Sequence, residues 1–314
     1  MKKTILYILL GLFVCTNLFA QDEESADVVE KDKPVRFAWE SGMLIDQQTS
    51  HIPTVKTLEM VIQHKFGSID NGSSDLWGIY APAGNIRLGL NYVVANNVQI
   101  GWGISKRNMY NDFNAKWTIF EQTRKNQVPV FVTVYANAAI DGMNRDDVEL
   151  FNFEEPGQKF DYKFNNRLSY FAQLIIGRKV TNALSVQGAV SFSHANFVPQ
   201  WHDHDRVGLH FNGRLKVSPQ GAIIFNYDVP LQIDGISEQH PDWNSTNTPG
   251  WDGPYHPEPN LSFGYEVSTS THAFQIYMGN SPAMLLQDMM INNNTGIDFD
   301  NFAIGFTITR LWSF

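Results

Sequence analysis

The sequence predicts an all-β membrane protein: a transmembrane, antiparallel, up-and-down β-barrel of about 12 strands with short periplasmic turns and long extracellular loops. Three observations lead to this fold class. Apolar residues recur at every second position through most of the chain, short and long connections alternate between these segments, and the chain starts with a secretory signal. A period of two indicates a strand with one apolar face, and alternating connections are typical of membrane barrels.

Residues 1–20 are predicted to be a signal peptide that is removed. A basic start and an apolar stretch over residues 5–14 lead to Ala20, the expected cleavage point before Gln21. The only cysteine, Cys15, lies in this segment behind bulky residues where a lipoprotein signal needs small ones. We therefore expect an unlipidated mature chain without cysteine, which can hold neither a disulfide nor a thiolate metal site.

Composition excludes several classes of protein. The net charge of −9 argues against a nucleic-acid partner. The mean hydropathy of −0.25 is too polar for a helical membrane protein. A barrel allows this value, because only every second strand residue meets lipid. About 290 residues remain after cleavage, enough for one large domain or two small ones.

Residues 21–57 are predicted to be a flexible, acidic N-terminal segment and a possible plug. Residues 21–34 are acidic and have no apolar period, which is typical of a flexible terminus. Residues 35–57 carry apolar positions such as Trp39 and Leu44 without a sustained strand pattern. This second part can pack inside or under a barrel.

The barrel is predicted over residues 58–314. In its first strand, Leu58, Met60 and Ile62 alternate with polar residues. Further alternating segments are predicted at residues 86–94, 98–104, 114–123, 127–136, 168–176, 184–192, 207–217, 221–227, 261–267, 274–278 and 302–314. Most of them are near the roughly 9–11 residues that a tilted strand needs to cross a bilayer.

The connections between these segments alternate in length. Tight turns are predicted at residues 96–97, 124–126, 180–182, 218–220 and 268–271, and long connections at residues 67–84, 105–113, 137–166, 194–205, 228–259 and 280–301. The tight turns belong on the periplasmic side, where the last strand also ends. A soluble secreted β-sandwich, the alternative fold, has no reason to keep every second connection short.

The strand residues out of phase with the lipid-facing side chains are predicted to line the lumen. These lumen-facing candidates are Glu59, Lys65, Arg87, Gln99, Gln173, Gln187, His210, Arg214, Glu266 and Gln275. Their charges have mixed signs, so they do not indicate a strongly anion- or cation-selective pore. On the outer face, aromatic residues such as Tyr92 and Trp102 suit the headgroup regions.

The chain ends on an aromatic residue at the end of a predicted strand. Phe306, Ile308, Trp312 and Phe314 share one phase, and this arrangement looks like the assembly signal of bacterial outer-membrane β-barrels. We expect Trp312 and Phe314 to form that signal. The expected partners are outer-membrane lipid and the barrel-assembly machinery, and the expected location is the cell outer membrane.

Four stretches of the chain carry a resemblance to a known family. They are residues 40–46 (ESGMLID), 56–67 (KTLEMVIQHKFG), 75–80 (DLWGIY) and 85–92 (NIRLGLNY). Together they resemble an uncharacterised family of β-barrel outer-membrane proteins from Gram-negative bacteria, a domain of unknown function. The resemblance implies the fold and the location and no catalytic residues. His64, in its most specific stretch, is expected near the membrane interface.

Two predicted extracellular loops hold the candidate chemistry. The possible metal ligands are His202, Asp203, His204 and Asp205, to which His240 or His256 can add a further one. Such groups ligate zinc or another divalent ion. A solvated polar loop is the competing interpretation, because alternate side chains of an extended loop diverge. Residues 240–260, rich in aromatic residues and proline, can grip a sugar or a partner, or pack on themselves as a stiff rim.

The sequence carries none of the common catalytic signatures, neither a G-x-S-x-G stretch nor a P-loop, an H-E-x-x-H motif or a dinucleotide fingerprint. We therefore expect no enzymatic activity, no catalytic residue and no cofactor. One expected function is a narrow channel or transport barrel for small solutes, because about 12 strands lie between filled and open barrels. The alternative is a non-enzymatic surface-binding or assembly component that acts through its extracellular loops.

Overall fold

The computed structural model describes residues 32–36, 38–144, 162–198, 202–233 and 255–314. The chain divides into two units, residues 1–33 and residues 34–314. The fold described below is that of the second unit. The predicted signal peptide lies outside the described residues, and so does most of the acidic segment that follows it.

The second unit is a closed antiparallel barrel of twelve strands within the described part of the chain. A hairpin of two short strands, β1 (Met43–Leu44) and β2 (Gln47–Gln48), precedes it. The barrel strands are β3 (Thr57–Ser68), β4 (Asn85–Ala95), β5 (Val98–Ser105), β6 (Asn111–Phe120), β7 (Phe131–Ile140), β8 (Leu168–Lys179), β9 (Leu184–Ala195), β10 (Asp205–Lys216), β11 (Gly221–Pro230), β12 (Asn260–Ser268), β13 (His272–Gly279) and β14 (Ala303–Ser313). Each barrel strand pairs with its neighbours in sequence, and β14 pairs with β3 to close the ring. The predicted fold class is confirmed.

Burial alternates along the strands as the apolar period predicts. In β3 every second residue is buried, starting at Thr57. In β4 the side chains of Leu88 and Leu90 are exposed on the outer face, while Arg87 is buried. In lipid, an unpaired strand edge would leave backbone groups without partners, so the sheet has to close. An apolar outer face and a polar inner face follow from that closure.

The strands β6 and β7 differ from the prediction by three or four residues. The extracellular connection between β5 and β6 is confined to residues 106–110, because a 3-10 turn with left-handed Asn108 and Met109 closes it tightly. The periplasmic connection, residues 121–130, is longer than the predicted turn at residues 124–126. Thr123 in this connection bridges to Pro34, and its backbone N donates to Val128 O at 2.9 Å, which closes a turn around residues 124–126. The alternation of short and long connections therefore fails at this pair.

Besides short 3-10 turns, the described residues include one α-helix, α1 (Leu286–Asn292), in the connection between β13 and β14. Its residues are almost all buried, and it packs against β8, β9, β10 and β11. The helix therefore lies inside the barrel. No helix among the described residues is long and apolar enough to span a membrane.

Candidate functional site

The β1–β2 hairpin lies inside the barrel and fills part of the lumen. Its turn is formed by Ile45 and Asp46, and Ile45 has a φ of 56°, which a β-branched residue rarely adopts. The Ile45 side chain is fully buried in an apolar cluster. The cluster consists of Ala38, Trp39, Leu44, Ile45, Phe131, Ile224 and Tyr277. Burial of this apolar surface offsets the strain of the turn.

Wall amides bind the backbone of the hairpin. Gln275 accepts a hydrogen bond from Ile45 N at 2.8 Å and donates one to Met43 O at 3.0 Å. Asn226 Nδ2 donates to Leu44 O, and Gln187 Nε2 donates to Gln48 O, both at 2.6 Å. The hairpin backbone is thus hydrogen-bonded to side-chain amides of the barrel wall. Residues 38–50 form a plug in this structure, and we use that name for them below.

Further lumen-facing candidates contact the plug or a neighbouring wall residue. Gln173 Nε2 donates to the side chain of Gln47 at 3.0 Å. Gln99 Nε2 donates to Glu59 Oε2 at 2.8 Å. Glu59 also accepts a hydrogen bond from the backbone of Gly42 at 3.3 Å. All of these wall side chains are buried.

Two ion pairs neutralise charged side chains of the barrel wall. Arg87 binds Asp112 through Nε at 2.9 Å and through Nη2 at 2.6 Å, a bidentate arrangement. Arg214 Nε donates to Glu266 Oε1 at 2.7 Å. Arg214 also faces Glu40 of the plug, at 3.6 Å. Of the predicted lumen-facing charges, Arg87, Arg214 and Glu266 are therefore paired within the wall, whereas Glu59 is bound by amide groups.

His210 is held between two wall residues on neighbouring strands. Its Nδ1 is 2.9 Å from Asp228 Oδ1, and its Nε2 is 2.7 Å from Ser191 Oγ. The imidazole is completely buried. His210 was predicted to face the lumen, and the structure places it on the inner face of β10.

The connection between β13 and β14 folds into the barrel from the extracellular side. Its helix α1 packs Leu286, Met289 and Met290 against the wall residues Tyr135 and Phe171. Gln287 Nε2 donates to Asn137 Oδ1 at 2.8 Å. The lumen is therefore filled from both ends, by the plug and by this loop.

Lys65 binds both segments that fill the lumen, the plug and the loop between β13 and β14. Its ammonium group donates to Asp46 Oδ2 of the plug and to the backbone oxygens of Ser281 and Ala283 in the loop, each at 2.8 Å. Burial raises the pKa of Asp46 above its ordinary value, although the charge of Lys65 acts in the opposite direction.

A cavity of about 10 Å³ remains between the plug, α1 and the wall, lined by Asp46, Arg87 and Leu286 among others. That volume is close to the space that one water molecule needs. This cavity between plug, loop and wall is too small for a larger solute.

The residues predicted as metal ligands lie at the extracellular rim and have separate partners. The ring of His202 stacks on Tyr255 with centroids 3.9 Å apart, and Asp203 pairs with Arg206. Burial lowers the pKa of His202 and raises that of Tyr255 to about 12. His202 is therefore part of an aromatic contact between two connections of the rim.

The other two predicted ligands bind residues of β9. His204 Nδ1 donates to Ala195 O at 2.7 Å, and Asp205 Oδ1 is 2.7 Å from His194 Nδ1. Within the described ranges, no three His, Cys, Asp or Glu side chains come together as a metal site. His240, a predicted further ligand, lies outside the described residues.

The predicted assembly signal is accessible at the end of the barrel. Trp312 lies under the guanidinium group of Arg310 at 4.8 Å. Phe314 follows β14 and is 81% exposed. On the outer face near the opposite rim, His64 stacks on Phe306 with ring centroids 5.3 Å apart. Recognition of Trp312 and Phe314 by an assembly machinery stays a prediction.

Several wall residues that make prominent contacts in the structure carry no distinguishing motif in the sequence, among them Asp112, Ser191 and Asp228. Each lies in or next to a predicted strand, so alternation alone could have assigned its face. What alternation cannot supply is the pairing register, which decides that Asp112 meets Arg87 and that Ser191 meets His210.

Comparison with solved structures finds barrels of related shape. The COG4313 outer membrane channel from Pseudomonas putida F1 is 12% identical, covering 83% of this chain and 97% of that chain with a TM-score of 0.45. The KdgM porin in complex with disordered oligogalacturonate is 9% identical, covering 82% and 99% with a TM-score of 0.44. The NanC porin is 8% identical, with the same coverage and TM-score. At these values the likeness says nothing about what this chain does.

Comparison with curated proteins finds no match. A family model described as a membrane bound beta barrel domain (DUF5777) matches residues 39–312. The match includes the plug hairpin as well as all the barrel strands, so the plug is part of the family's domain. It confirms the predicted family and the predicted location. The chain belongs to the membrane bound beta barrel domain family, and its barrel lies in the cell outer membrane.

Proposed function

We propose that this protein is a narrow channel for small polar solutes that is closed in the conformation described here. The observation that carries the proposal is the chemistry of the lumen. The wall facing the plug is lined by charged groups and by amides such as Gln187, Asn226 and Gln275. A wall of this kind suits a water-filled passage.

The polar contacts of the plug can be exchanged for water. The hydrogen bonds from Gln187, Asn226 and Gln275 to the hairpin backbone are each worth only about 0.5–1.5 kcal/mol net. Water entering the lumen would satisfy the same side chains. The wall therefore stays hydrogen-bonded when the plug leaves, which an apolar wall would not allow.

The plug is attached to the barrel in a way that permits withdrawal. It precedes β3 and connects to Thr57 through residues 51–56, so no barrel strand has to open for it to move. Its apolar residues oppose withdrawal, since exposing a buried side chain such as Leu44 or Ile45 costs about 1.5–3 kcal/mol. The closed state is therefore favoured until something offsets a few such contacts.

The paired charges indicate the class of solute. Arg87 with Asp112, and Arg214 with Glu266, leave little net charge on these parts of the wall. A strongly charged ion gains little from such a wall, whereas a neutral or zwitterionic solute can use both donors and acceptors. We expect weak ion selectivity and passage of small uncharged polar molecules.

Single-channel recording in planar bilayers tests the proposal. One variant lacks residues 21–50, a second has residues 282–294 replaced by a short Gly-Ser linker, and a third combines both changes. We expect the unaltered mature chain to be nearly silent and the combined variant to give stable current steps. Deletion of residues 21–33, which precede the second unit, is the matched control and should leave the barrel silent.

The decisive result concerns the combined variant. Its folding is checked by the change in gel mobility on heating that membrane barrels show. A folded combined variant that carries no current would contradict the channel proposal. It would favour the alternative, a surface-binding or assembly component whose lumen is filled for structural reasons.

A further inference from the structure

We propose that Ser191, His210 and Asp228 form an ester-cleaving site in the lumen, which α1 covers in this conformation. The inference goes beyond the proposed channel and does not depend on it. It rests on side chains of three consecutive strands, β9, β10 and β11, which barrel closure brings to one inner surface.

The three side chains form a continuous hydrogen-bonded series. Ser191 Oγ is 2.7 Å from His210 Nε2, and His210 Nδ1 is 2.9 Å from Asp228 Oδ1. The second oxygen of Asp228 accepts a hydrogen bond from Asn260 Nδ2 at 2.8 Å. That contact fixes the carboxylate, so Asp228 can hold the imidazole in one orientation.

The partners determine where the proton of a neutral imidazole lies. An ionised carboxylate only accepts hydrogen bonds, so His210 donates from Nδ1 to Asp228. Nε2 then carries a lone pair and accepts the hydroxyl proton of Ser191. Nucleophile, base and orienting carboxylate are thus arranged as in serine hydrolases, where geometry rather than sequence order defines the site.

The two neighbours of Ser191 across the sheet complete the site. Gly208 lies opposite it on β10, and Gln173 lies opposite it on β8. A Cβ atom at Gly208 would lie 2.8 Å from Ser191 Oγ and 3.1 Å from His210 Nε2. Glycine therefore leaves space beside the reacting atoms.

That space holds the side chain that blocks the site. The sulfur of Met290 lies 2.6 Å from the position that a Cβ of Gly208 would take. Methionine is flexible, and its helix enters the lumen from a connection rather than from the wall. On the other side of Ser191, the Gln173 amide bonds to Gln47 and has a second N–H to offer a developing oxyanion.

The surroundings of Met290 indicate the class of substrate. Met290 belongs to an apolar cluster that includes the wall residues Tyr135 and Phe171. The ring of Phe171 lies edge-on to His210 with centroids 6.2 Å apart. When α1 withdraws, this wall remains and offers an apolar surface next to Ser191. We assign the site to esters whose acyl chain is apolar.

The reaction would proceed through an acyl-enzyme. Ser191 Oγ bonds to the acyl carbon as its proton passes to His210 Nε2, and the carbon–oxygen bond to the alcohol then breaks. The alcohol leaves with that proton. Water next attacks the acyl carbon and gives a proton to His210 Nε2. The bond between that carbon and Ser191 Oγ then breaks, His210 returns the proton to Oγ, and the carboxylic acid leaves.

A fluorophosphonate probe, which phosphonylates activated serines, tests the site on the full mature chain in detergent. Met290→Ala should be labelled about tenfold faster than the unaltered protein, or more, because shortening this side chain opens the space beside Ser191. Adding Ser191→Ala should abolish labelling. Adding His210→Gln should slow it by roughly 100-fold or more, the contribution of a general base.

Ser193 supplies the matched control. It lies two residues along the same inner face of β9, is equally buried, and its hydroxyl has no hydrogen-bond partner among the described residues. Met290→Ala with Ser193→Ala should be labelled like Met290→Ala alone. The Met290→Ala variant should also hydrolyse p-nitrophenyl octanoate faster than p-nitrophenyl acetate.

Gel mobility establishes that each variant is folded, and Met290→Val replaces Met290→Ala if the alanine variant fails to fold. Absence of labelling in the folded variant would overturn the proposal. So would labelling that persists after Ser191→Ala, or labelling that does not depend on His210.

Discussion

Replacing Lys65 by methionine should separate the plug from the loop that meets it. The change keeps the length of the side chain and removes its three donors, all of which are used at 2.8 Å. Asp46 loses its cation, and its second oxygen already has no hydrogen-bond partner among the described residues. The backbone oxygens of Ser281 and Ala283 lose a donor as well.

The expected cost follows from burial. Lys65 and Asp46 are both nearly inaccessible to solvent. Removing one partner of a buried ion pair destabilises by about 3–5 kcal/mol, because the remaining charge is left uncompensated. Adding Asp46→Asn to Lys65→Met removes that charge and should recover a substantial part of the loss.

Urea unfolding of the refolded barrel in detergent, followed by tryptophan fluorescence, measures the cost. The free energy of unfolding that Lys65→Met loses should also be smaller at pH 4.5 than at pH 8. Without its cation, Asp46 has a folded-state pKa still further above its unfolded value of 3.8. Folding then favours the protonated form, and the variant loses stability as pH rises through that folded-state pKa.

Lys106→Met is the matched control for this comparison. Lys106 also donates to backbone oxygens of a connection, at 2.9 Å to Gly84, but it is exposed. Lys106→Met should therefore lower the free energy of unfolding only slightly. If Lys65→Met cost less than about 1 kcal/mol, or no more than Lys106→Met, the buried contact would not hold plug and loop together.

Three further expectations concern the outer face, the chain end and the rim. Leu90→Arg, at the middle of β4, should lower the free energy of unfolding by about 2–4 kcal/mol, whereas Val94→Arg, on the same face near the turn, should lower it by about 0–1 kcal/mol. Equal losses for the two variants in urea unfolding would contradict a lipid-facing strand. Deletion of Phe314 should reduce membrane insertion, measured by fractionation and protease sensitivity, and unchanged insertion would remove its role as an assembly signal. Burial lowers the pKa of His202, so protonation of its ring should weaken its packing on Tyr255 as pH falls below about 6.5. Hydrogen-exchange protection factors of residues 202–205 should fall over the same range, and His202→Ala should remove this pH dependence.

The sequence is most informative where lipid dictates the pattern. Met60, Ile62, Leu88 and Leu90 follow the period of two because one face of each strand meets hydrocarbon, and the structure has them on that face. Prediction was weakest at β6 and β7, where turn geometry rather than the apolar period sets the strand ends.

The interior could be predicted only in part. Residues 35–57 show apolar positions without a period, which allowed packing inside or under the barrel and could not name Gln275 or Lys65 as partners. The helix α1 has no side-chain cap at its start and only seven residues. Burial rather than intrinsic propensity maintains it, so its sequence looks like that of a loop.

The ring closes between the first barrel strand and the last, and this seam governs how the protein can be built. The plug precedes β3 through residues 51–56, and the loop with α1 immediately precedes β14. Lys65 of β3 binds both the plug and this loop. Its contacts with the loop require the two ends of the sheet to have met. During insertion, the loop with α1 therefore lacks this attachment until the last strand arrives. Filling of the lumen is then a late event in assembly, and an intermediate that stalls before it would expose its apolar surface at the seam between β14 and β3.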